Sequence, residues 1–122
     1  MENKILIADD NENIREALTY LLEDEGYKIW LAKDGADTLK KVREIRPDIL
    51  FLDIMMPVMN GYDVCRAIKT DPDLSDIYVI MLTAKGQVAE QERGKEVGAN
   101  EYIVKPFSPM EILSKVKTIL DK

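Results

Sequence analysis

The sequence predicts an α/β fold, a doubly wound sheet of five parallel strands with helices on both of its faces. Short apolar runs alternate five times with longer segments whose apolar residues recur every three or four positions, the pattern of a repeated strand–helix unit. Three of the runs are apolar almost throughout, as strands buried on both faces of a parallel sheet are. The 122 residues are enough for one core, so we expect a single domain over residues 1–122.

The five predicted strands are residues 4–8, 27–32, 48–53, 77–82 and 102–104. The first, third and fourth of these are the apolar runs, and they are expected at the centre of the sheet. Residues 27–32 mix polar and apolar side chains, including Trp30, which predicts a strand at an edge. Because right-handed crossovers join successive parallel strands, all five should end at one edge of the sheet.

Capping and stopping residues mark the first three predicted helices. Asn11 or Asn13 can cap the first helix, and Gly26 ends it. The second helix ends at Pro47, since proline cannot continue it. The third is expected over residues 61–69, where apolar side chains again recur at helical spacing.

The last two predicted helices differ in how firmly the sequence anchors them. Residues 87–97 have few apolar positions and contain Gly94, so this helix should be only loosely held; Gly98 closes it. Residues 108–111 form a capping box, Ser-Pro-Met-Glu, in which the proline stands at the first helical position. The amphipathic segment that follows predicts a firmly packed final helix.

Polar side chains stand at the carboxyl ends of four strands: Asp9 and Asp10, Asp53, Thr83 and Lys105. Ligand sites of open parallel sheets lie at this edge, so we expect these residues to converge. Three neighbouring carboxylates repel one another unless a cation joins them, and an all-oxygen cluster suits Mg²⁺ or Mn²⁺. A cation, an ammonium and a hydroxyl around one carboxylate describe a phosphoryl site in which Asp53 can attack phosphorus.

Composition excludes several function classes. The net charge of −6, with 23 acidic and 17 basic residues, disfavours direct binding to nucleic acids or anionic membranes. The chain has no histidine, which removes serine–histidine and cysteine–histidine catalysis and histidine-ligated zinc. One cysteine, Cys65, forms no internal disulfide, and no signal peptide or membrane span is visible, so we expect a cytoplasmic protein.

The motifs resemble those of the response-regulator receiver domains of two-component signalling, the CheY-like family. The resemblance extends from residue 4 to residue 120, and it implies a flavodoxin/CheY-like (βα)5 fold with strand order 2-1-3-4-5. It is carried by Asp9-Asp10, residues 53–57 with Gly61, Thr83-Ala84, and residues 105–107.

The resemblance implies that Asp53 is the phosphoacceptor, which receives a phosphoryl group from a phosphohistidine on a partner. It implies a bound Mg²⁺, for which Mn²⁺ would substitute. The ion would be held by Asp10, by Asp53 and by the backbone carbonyl of Met55, and through water by Asp9.

The resemblance also implies the remaining parts of a switch. Lys105 and Thr83 would hold the phosphoryl oxygens, and Lys105-Pro106 would be a cis peptide. On phosphorylation, Thr83 would move toward the phosphate and Tyr102 would follow it. The face formed by the helix at residues 87–97, the last strand and the last helix would then change shape.

The implied partners are a sensor histidine kinase or a histidine phosphotransfer protein, and a downstream protein whose identity the sequence does not give. The chain would not be a conventional enzyme, because it would catalyse only its own phosphorylation and dephosphorylation. If the chain is complete, its output is docking to another protein or onward transfer to a histidine phosphotransfer protein, without direct contact to nucleic acid or membrane. Excision from a longer protein and a phosphorylation-dependent dimer through the last helix are both left open.

Three other functions are weaker interpretations. A phosphatase of the haloacid dehalogenase type needs a second aspartate two residues after the nucleophile, where this chain has Met55. A flavin-binding domain needs a loop rich in serine, threonine and glycine after the first strand, whereas residues 9–12 are mostly acidic. A degenerate receiver that works without phosphate is disfavoured because no site residue is missing.

Two further residues bear on the rate at which the phosphorylated aspartate would be hydrolysed. Met55 and Lys85 flank the place where water would attack the phosphorylated carboxylate. Since an apolar Met55 cannot assist that water, slow self-dephosphorylation is expected. Met55, Met56 and Met59 together are interpreted mainly as packing residues.

Overall fold

The structure, a computed structural model, describes residues 3–83 and 97–120. Its elements, in chain order, are β1 (Lys4–Ala8), α1 (Glu12–Glu23), β2 (Lys28–Ala32), α2 (Gly35–Ile45), β3 (Ile49–Asp53), α3 (Gly61–Thr70), β4 (Tyr78–Thr83), β5 (Glu101–Val104) and a C-terminal helix (Pro109–Leu120). Apart from Val97, the helix predicted over residues 87–97 lies outside the described residues, as do Ala84 and Lys85. No helix within the two described segments has the length and apolar character that crossing a membrane requires.

The five strands form one parallel sheet in the order β2-β1-β3-β4-β5, which confirms the predicted α/β fold and strand order. The register aligns the ends of neighbouring strands to within one residue: Ala8 pairs with Ala32 and with Leu52, the residue before the end of β3, and Thr83 pairs with Val104. All strands therefore end at one edge of the sheet. β2 is an outer strand, and its Trp30 is half-buried, as predicted for an edge position.

The sheet separates two apolar cores, one on each face, and the three central strands are buried on both sides. One core packs against α2 and α3, and the other packs against α1 and the C-terminal helix. The helix residues that are buried in the two cores include Leu39, Val42, Val64, Cys65 and Ile68 on the first face, and Leu18, Leu22, Ile112 and Val116 on the second. Burial on both faces fixes the register of these strands, and thus the positions of the residues that follow them.

Side-chain caps begin the helices at the edge where the strands end. Asn11 caps α1, which decides between the two candidates: its Oδ1 accepts from the backbone N–H groups two and three residues along, at 2.9 and 3.2 Å. Asp34 and Asn60 cap α2 and α3 in the same way. Ser108 Oγ accepts from the N–H of Glu111 at 3.1 Å, as the predicted capping box requires. These caps fix the loops that surround the predicted site.

Candidate functional site

Three aspartates meet at the carboxyl ends of β1 and β3. Asp9 and Asp10 follow β1, and Asp53 is the last residue of β3. One carboxylate oxygen from each lies within 4.8 Å of the others. Asp9 and Asp53 are buried, whereas Asp10 is exposed. The structure thus brings together the three carboxylates that the sequence analysis placed at one edge.

Asp9 is fully buried, and hydrogen bonds hold it at both its backbone and its side chain. Its N–H donates to the carbonyl of Ala32 at 3.1 Å. Its Oδ1 accepts from the N–H of Asn11 at 2.9 Å, and its Oδ2 accepts from Lys105 Nζ at 2.9 Å. Arg15 Nη1 donates to its carbonyl oxygen at 2.7 Å. Both carboxylate oxygens of Asp9 are therefore already in use.

Lys105 follows β5, and its peptide bond to Pro106 is cis, as the resemblance implied. Its Nζ lies 2.9 Å from Asp9 Oδ2 and 3.3 Å from Asp53 Oδ1, so one ammonium joins the carboxylates of two strands. Burial opposes the charge of this ammonium, but the hydrogen bond to Asp9 and the charge of Asp53 outweigh burial and raise the pKa of Lys105. The lysine is therefore a permanent cation in the site.

Asp53 is 6% exposed, and its surroundings oppose its negative charge. Burial, and then repulsion from Asp9, raise the pKa of Asp53, although Lys105 and the N–H of Met55 act in the opposite direction. Both of these donors bond to Oδ1, with Met55 N at 3.4 Å. None of the described residues donates a hydrogen bond to Oδ2, which leaves one oxygen available for chemistry.

Thr83 and Tyr102 lie beside this cluster rather than within it. Asp53 pairs with Leu82 in the sheet, so Thr83 is one residue further toward the edge. Thr83 Oγ1 is buried and has no hydrogen-bond partner among the described residues, which is costly unless a ligand uses the hydroxyl. Tyr102 is half-buried on β5 and packs against the core on the α2 and α3 face.

The three methionines of the loop between β3 and α3 differ in how far they pack against the core. Met56 is buried and Met59 is half-buried against the core, in agreement with the packing interpretation. Met55 is 73% exposed, so that interpretation is wrong for its side chain. Its backbone nevertheless faces the site, because its N–H reaches Asp53. The side chain of Met55 can therefore be changed at little cost to packing.

Val58, in the same loop, has a backbone conformation that valine rarely adopts. Its φ is +72°, and the N–H of Met59 donates to the carbonyl of Pro57 at 2.8 Å, which closes a γ-turn around it. A β-branched residue at positive φ costs about 1 to 3 kcal/mol. The side chain is 80% exposed, so packing does not offset that cost. The loop beside Asp53 is therefore strained.

We expect Val58→Gly to raise the free energy of unfolding by about 1 kcal/mol, because relief of strain outweighs the conformational entropy that glycine adds to the unfolded chain. Urea unfolding monitored by circular dichroism measures the change. Val58→Ala is the control: it removes the branch but keeps a Cβ, so it should stay close to wild type. A glycine variant no more stable than the alanine variant would contradict the assignment of strain.

The structure also adds residues that the sequence analysis did not assign to the site. Arg15 and Asn11 hold Asp9, and Gly61 N–H donates to the carbonyl of Ile54 at 2.9 Å, which draws α3 against the end of β3. Asn11 was recognised only as a cap, and Gly61 only as part of the motif. An arginine six residues after the aspartate carries no sequence signal of its own, since exposed arginines are common on helices.

The residues present fit a divalent cation. The cluster supplies only oxygen ligands, as Mg²⁺ and Mn²⁺ prefer. In the described part of the chain, one ammonium, that of Lys105, contacts two of its three carboxylates. Burial, and then repulsion from Asp9, raise the pKa of Asp53, so both its low exposure and its neighbour oppose its negative charge. A second positive charge would stabilise the carboxylate.

Comparison with known proteins identifies relatives. The family model described as "Response regulator receiver domain" matches residues 5–117. The chain is 42% identical over 120 residues to the DNA-binding response regulator MtrA of Mycobacterium tuberculosis, a match that covers 98% of this chain and 51% of the relative. It is equally similar to the alkaline phosphatase synthesis transcriptional regulatory protein PhoP of Bacillus subtilis, covering 98% of this chain and 49% of PhoP. This chain thus spans about half the length of these relatives.

Solved structures agree with this assignment. A putative response regulator from Chloroflexus aurantiacus superposes with a TM-score of 0.93 at 34% identity over the whole of both chains. The chemotaxis protein CheY4 of Vibrio cholerae superposes with a TM-score of 0.91 at 32% identity, covering 98% of this chain and 100% of CheY4. On the extent of the family match and the arrangement of its strands, this chain belongs to the receiver domains of response regulators in two-component signalling.

Proposed function

We propose that this receiver domain is a phosphoacceptor switch in which Asp53 accepts a phosphoryl group from the phosphohistidine of a sensor kinase or a histidine phosphotransfer protein. The observation that carries the proposal is the convergence on Asp53 of two further carboxylates and the Lys105 ammonium at one edge of the sheet. Asp53 keeps an oxygen to which no described residue donates. Thr83 follows the residue that pairs with Asp53 in the sheet, and its hydroxyl is unpaired among the described residues.

Asp10, Asp53 and the backbone carbonyl of Met55 would hold Mg²⁺ directly, and Asp9 would hold it through water. Two observations support this division. Asp10 is exposed and offers its carboxylate to an ion, whereas both oxygens of Asp9 already accept hydrogen bonds. When bound, Mg²⁺ supplies positive charge to the phosphoryl oxygens.

The transfer forms one bond and breaks one. A carboxylate oxygen of Asp53 bonds to phosphorus while the phosphorus–nitrogen bond of the phosphohistidine breaks, and the imidazole nitrogen keeps that electron pair. Lys105 is positioned to pair with a phosphoryl oxygen, since its ammonium lies 3.3 Å from Asp53 Oδ1. Thr83 Oγ1 would gain in the phosphorylated state the hydrogen bond that it lacks among the described residues.

The output follows from Thr83 and Tyr102. As Thr83 turns toward the phosphoryl group, Tyr102 fills the space beside it, and the face of β5 and the C-terminal helix changes shape for a protein partner. Tyr102 is only half-buried, which leaves it room to move.

The chain would catalyse only its own phosphorylation and dephosphorylation. With a net charge of −6, we assign no direct nucleic-acid contact to it, although MtrA is a DNA-binding regulator. The buried thiol Cys65 suits the reducing cytoplasm.

Incubation with acetyl phosphate and Mg²⁺, followed by intact mass measurement, tests the proposal. The wild-type chain should gain the mass of one phosphoryl group, and Asp53→Asn should gain none. Asp73→Asn is the matched control, because it makes the same chemical change at an exposed loop position and should leave phosphorylation unchanged. A chelator should abolish the reaction. Equal phosphorylation of the Asp53→Asn variant would refute Asp53 as the acceptor.

Met55→Asn should shorten the lifetime of the phosphorylated state severalfold, because an amide beside the site can position water that methionine cannot. Stability should change little, since the Met55 side chain is 73% exposed. The measurement is the decay of the phosphorylated mass after acetyl phosphate is removed. Met110→Asn, at an equally exposed methionine on the C-terminal helix, should leave the lifetime unchanged. An unaltered lifetime in Met55→Asn would show that this side chain does not control hydrolysis.

A further inference from the structure

Arg15 connects α1 to the carboxylate cluster through a main-chain contact. It is the fourth residue of α1, and its Nη1 donates to the carbonyl oxygen of Asp9 at 2.7 Å. Arg15 is itself anchored in the helix, since its N–H donates to the carbonyl of Asn11 at 3.1 Å and its own carbonyl accepts from Thr19 Oγ1 at 2.6 Å. Arg15 is half-buried, and its contact with Asp9 is partly shielded from solvent.

The carbonyl that Arg15 binds belongs to the peptide that joins the two neighbouring aspartates. The orientation of this peptide plane sets the direction in which Asp10 leaves the chain. On the Asp9 side, the position is also fixed by the hydrogen bonds to Ala32 and Asn11. Asp10 is exposed, and no hydrogen bond or ion pair of its carboxylate is described. The contact from Arg15 acts on the carbonyl of the Asp9–Asp10 peptide itself, which the hydrogen bonds to Ala32 and Asn11 do not.

We propose that Arg15 is a positioning residue for the cation site: by holding the Asp9 carbonyl, it aligns the Asp10 carboxylate with Asp9 and Asp53. The inference rests on the proposed function, because it takes the cluster to be the site of a divalent cation. Arg15 touches neither the cation nor the phosphoryl group in this account. It acts through the backbone of the two aspartates.

The charge of Arg15 and its proposed positioning role predict opposite changes in cation affinity when Arg15 is replaced. Arg15 carries a positive charge near a site for a cation, so removing that charge should strengthen cation binding. A positioning role predicts weaker binding, since the variant must order the Asp9–Asp10 peptide when it binds the ion. The chain offers a matched control in Lys33: it lines the same cavity of about 330 Å³ as Arg15, is exposed, and has no described contact with Asp9.

The experiment compares Arg15→Met and Lys33→Met with wild type by titrating the unphosphorylated full chain with Mn²⁺, followed by electron paramagnetic resonance. Arg15→Met should weaken Mn²⁺ binding about threefold to tenfold, the effect of one net hydrogen bond, and Lys33→Met should leave it unchanged or slightly stronger. Amide hydrogen exchange of the metal-free chain provides a second readout. Exchange over residues 9–14 should be faster in Arg15→Met and unchanged in Lys33→Met.

The outcomes separate this inference from the function on which it rests. If wild type binds Mn²⁺ and Arg15→Met binds it as tightly or more tightly, Arg15 acts only as a charge and the inference is overturned. If wild type binds no Mn²⁺, the cation site itself is refuted. Weaker binding in Arg15→Met together with unchanged exchange over residues 9–14 would also overturn the inference, because the backbone would not be what Arg15 holds.

Discussion

Gly61→Ala should destabilise the protein by about 2 kcal/mol and slow phosphorylation of Asp53. A Cβ at this position would lie 2.5 Å from the carbonyl oxygen of Asp53 and 2.8 Å from Cα of Ile54. Both atoms are backbone, so neither can rotate away, and overpacking of this kind costs about 1 to 3 kcal/mol. Relief requires β3 and α3 to separate at Asp53, the proposed phosphoacceptor. The effect should therefore appear in stability and in chemistry together.

The direction of the stability change in Gly61→Ala shows whether steric contact of the added Cβ or helix propensity dominates. Gly61 is the first residue of α3, and alanine is favoured over glycine in helices by up to about 1 kcal/mol. If propensity decided, the variant would be more stable than wild type. Thermal unfolding should instead show a melting temperature lower by roughly 8 °C, with slower gain of phosphoryl mass from acetyl phosphate. Gly26→Ala is the control: its Cβ would meet nothing within 4 Å, so it should cost only backbone strain and leave phosphorylation unchanged.

The fold and the central cluster follow from the sequence because they depend on strong, local signals. Apolar runs fix which strands are central, and parallel connections bring their ends to one edge. Asp9 follows β1, Asp53 ends β3 and Lys105 follows β5, so their convergence could be predicted without knowing any distance. The structure adds the contacts, such as the 2.9 Å between Lys105 Nζ and Asp9 Oδ2.

The features that escaped prediction depend on loop geometry or on single side-chain contacts. The positive φ of Val58 was not foreseeable, since valine is among the residues least suited to that conformation. The exposure of Met55 beside the buried Met56 is set by how the loop turns after β3. The bond from Arg15 to the Asp9 carbonyl joins a side chain to the backbone, which leaves no pattern of matching residue types in the sequence. These features modify a site whose main residues the strand ends already determine.

Lys105→Met should lower stability, strengthen Mg²⁺ binding and impair phosphorylation, all in one variant. Without the ammonium, the fully buried Asp9 and the nearly buried Asp53 lose the cation that contacts both of them. We expect this loss to lower the free energy of unfolding of the metal-free chain by about 2 kcal/mol. The value is below the range for fully buried ion pairs because Lys105 is partly exposed. Mg²⁺ would then bind a cluster with one positive charge fewer, so its affinity should rise about tenfold.

Urea unfolding with and without Mg²⁺ measures the first two effects. The increase in unfolding free energy that Mg²⁺ produces should be larger in Lys105→Met than in wild type by about 1 kcal/mol, since a ligand stabilises the state it binds according to its affinity. Phosphorylation by acetyl phosphate should nevertheless be slower, because the variant lacks the ammonium that is proposed to pair with a phosphoryl oxygen. Lys33→Met, which removes an exposed lysine beyond the end of β2, should change none of the three quantities appreciably. A smaller Mg²⁺ effect in Lys105→Met than in wild type would show that Lys105 aids ion binding rather than competing with it.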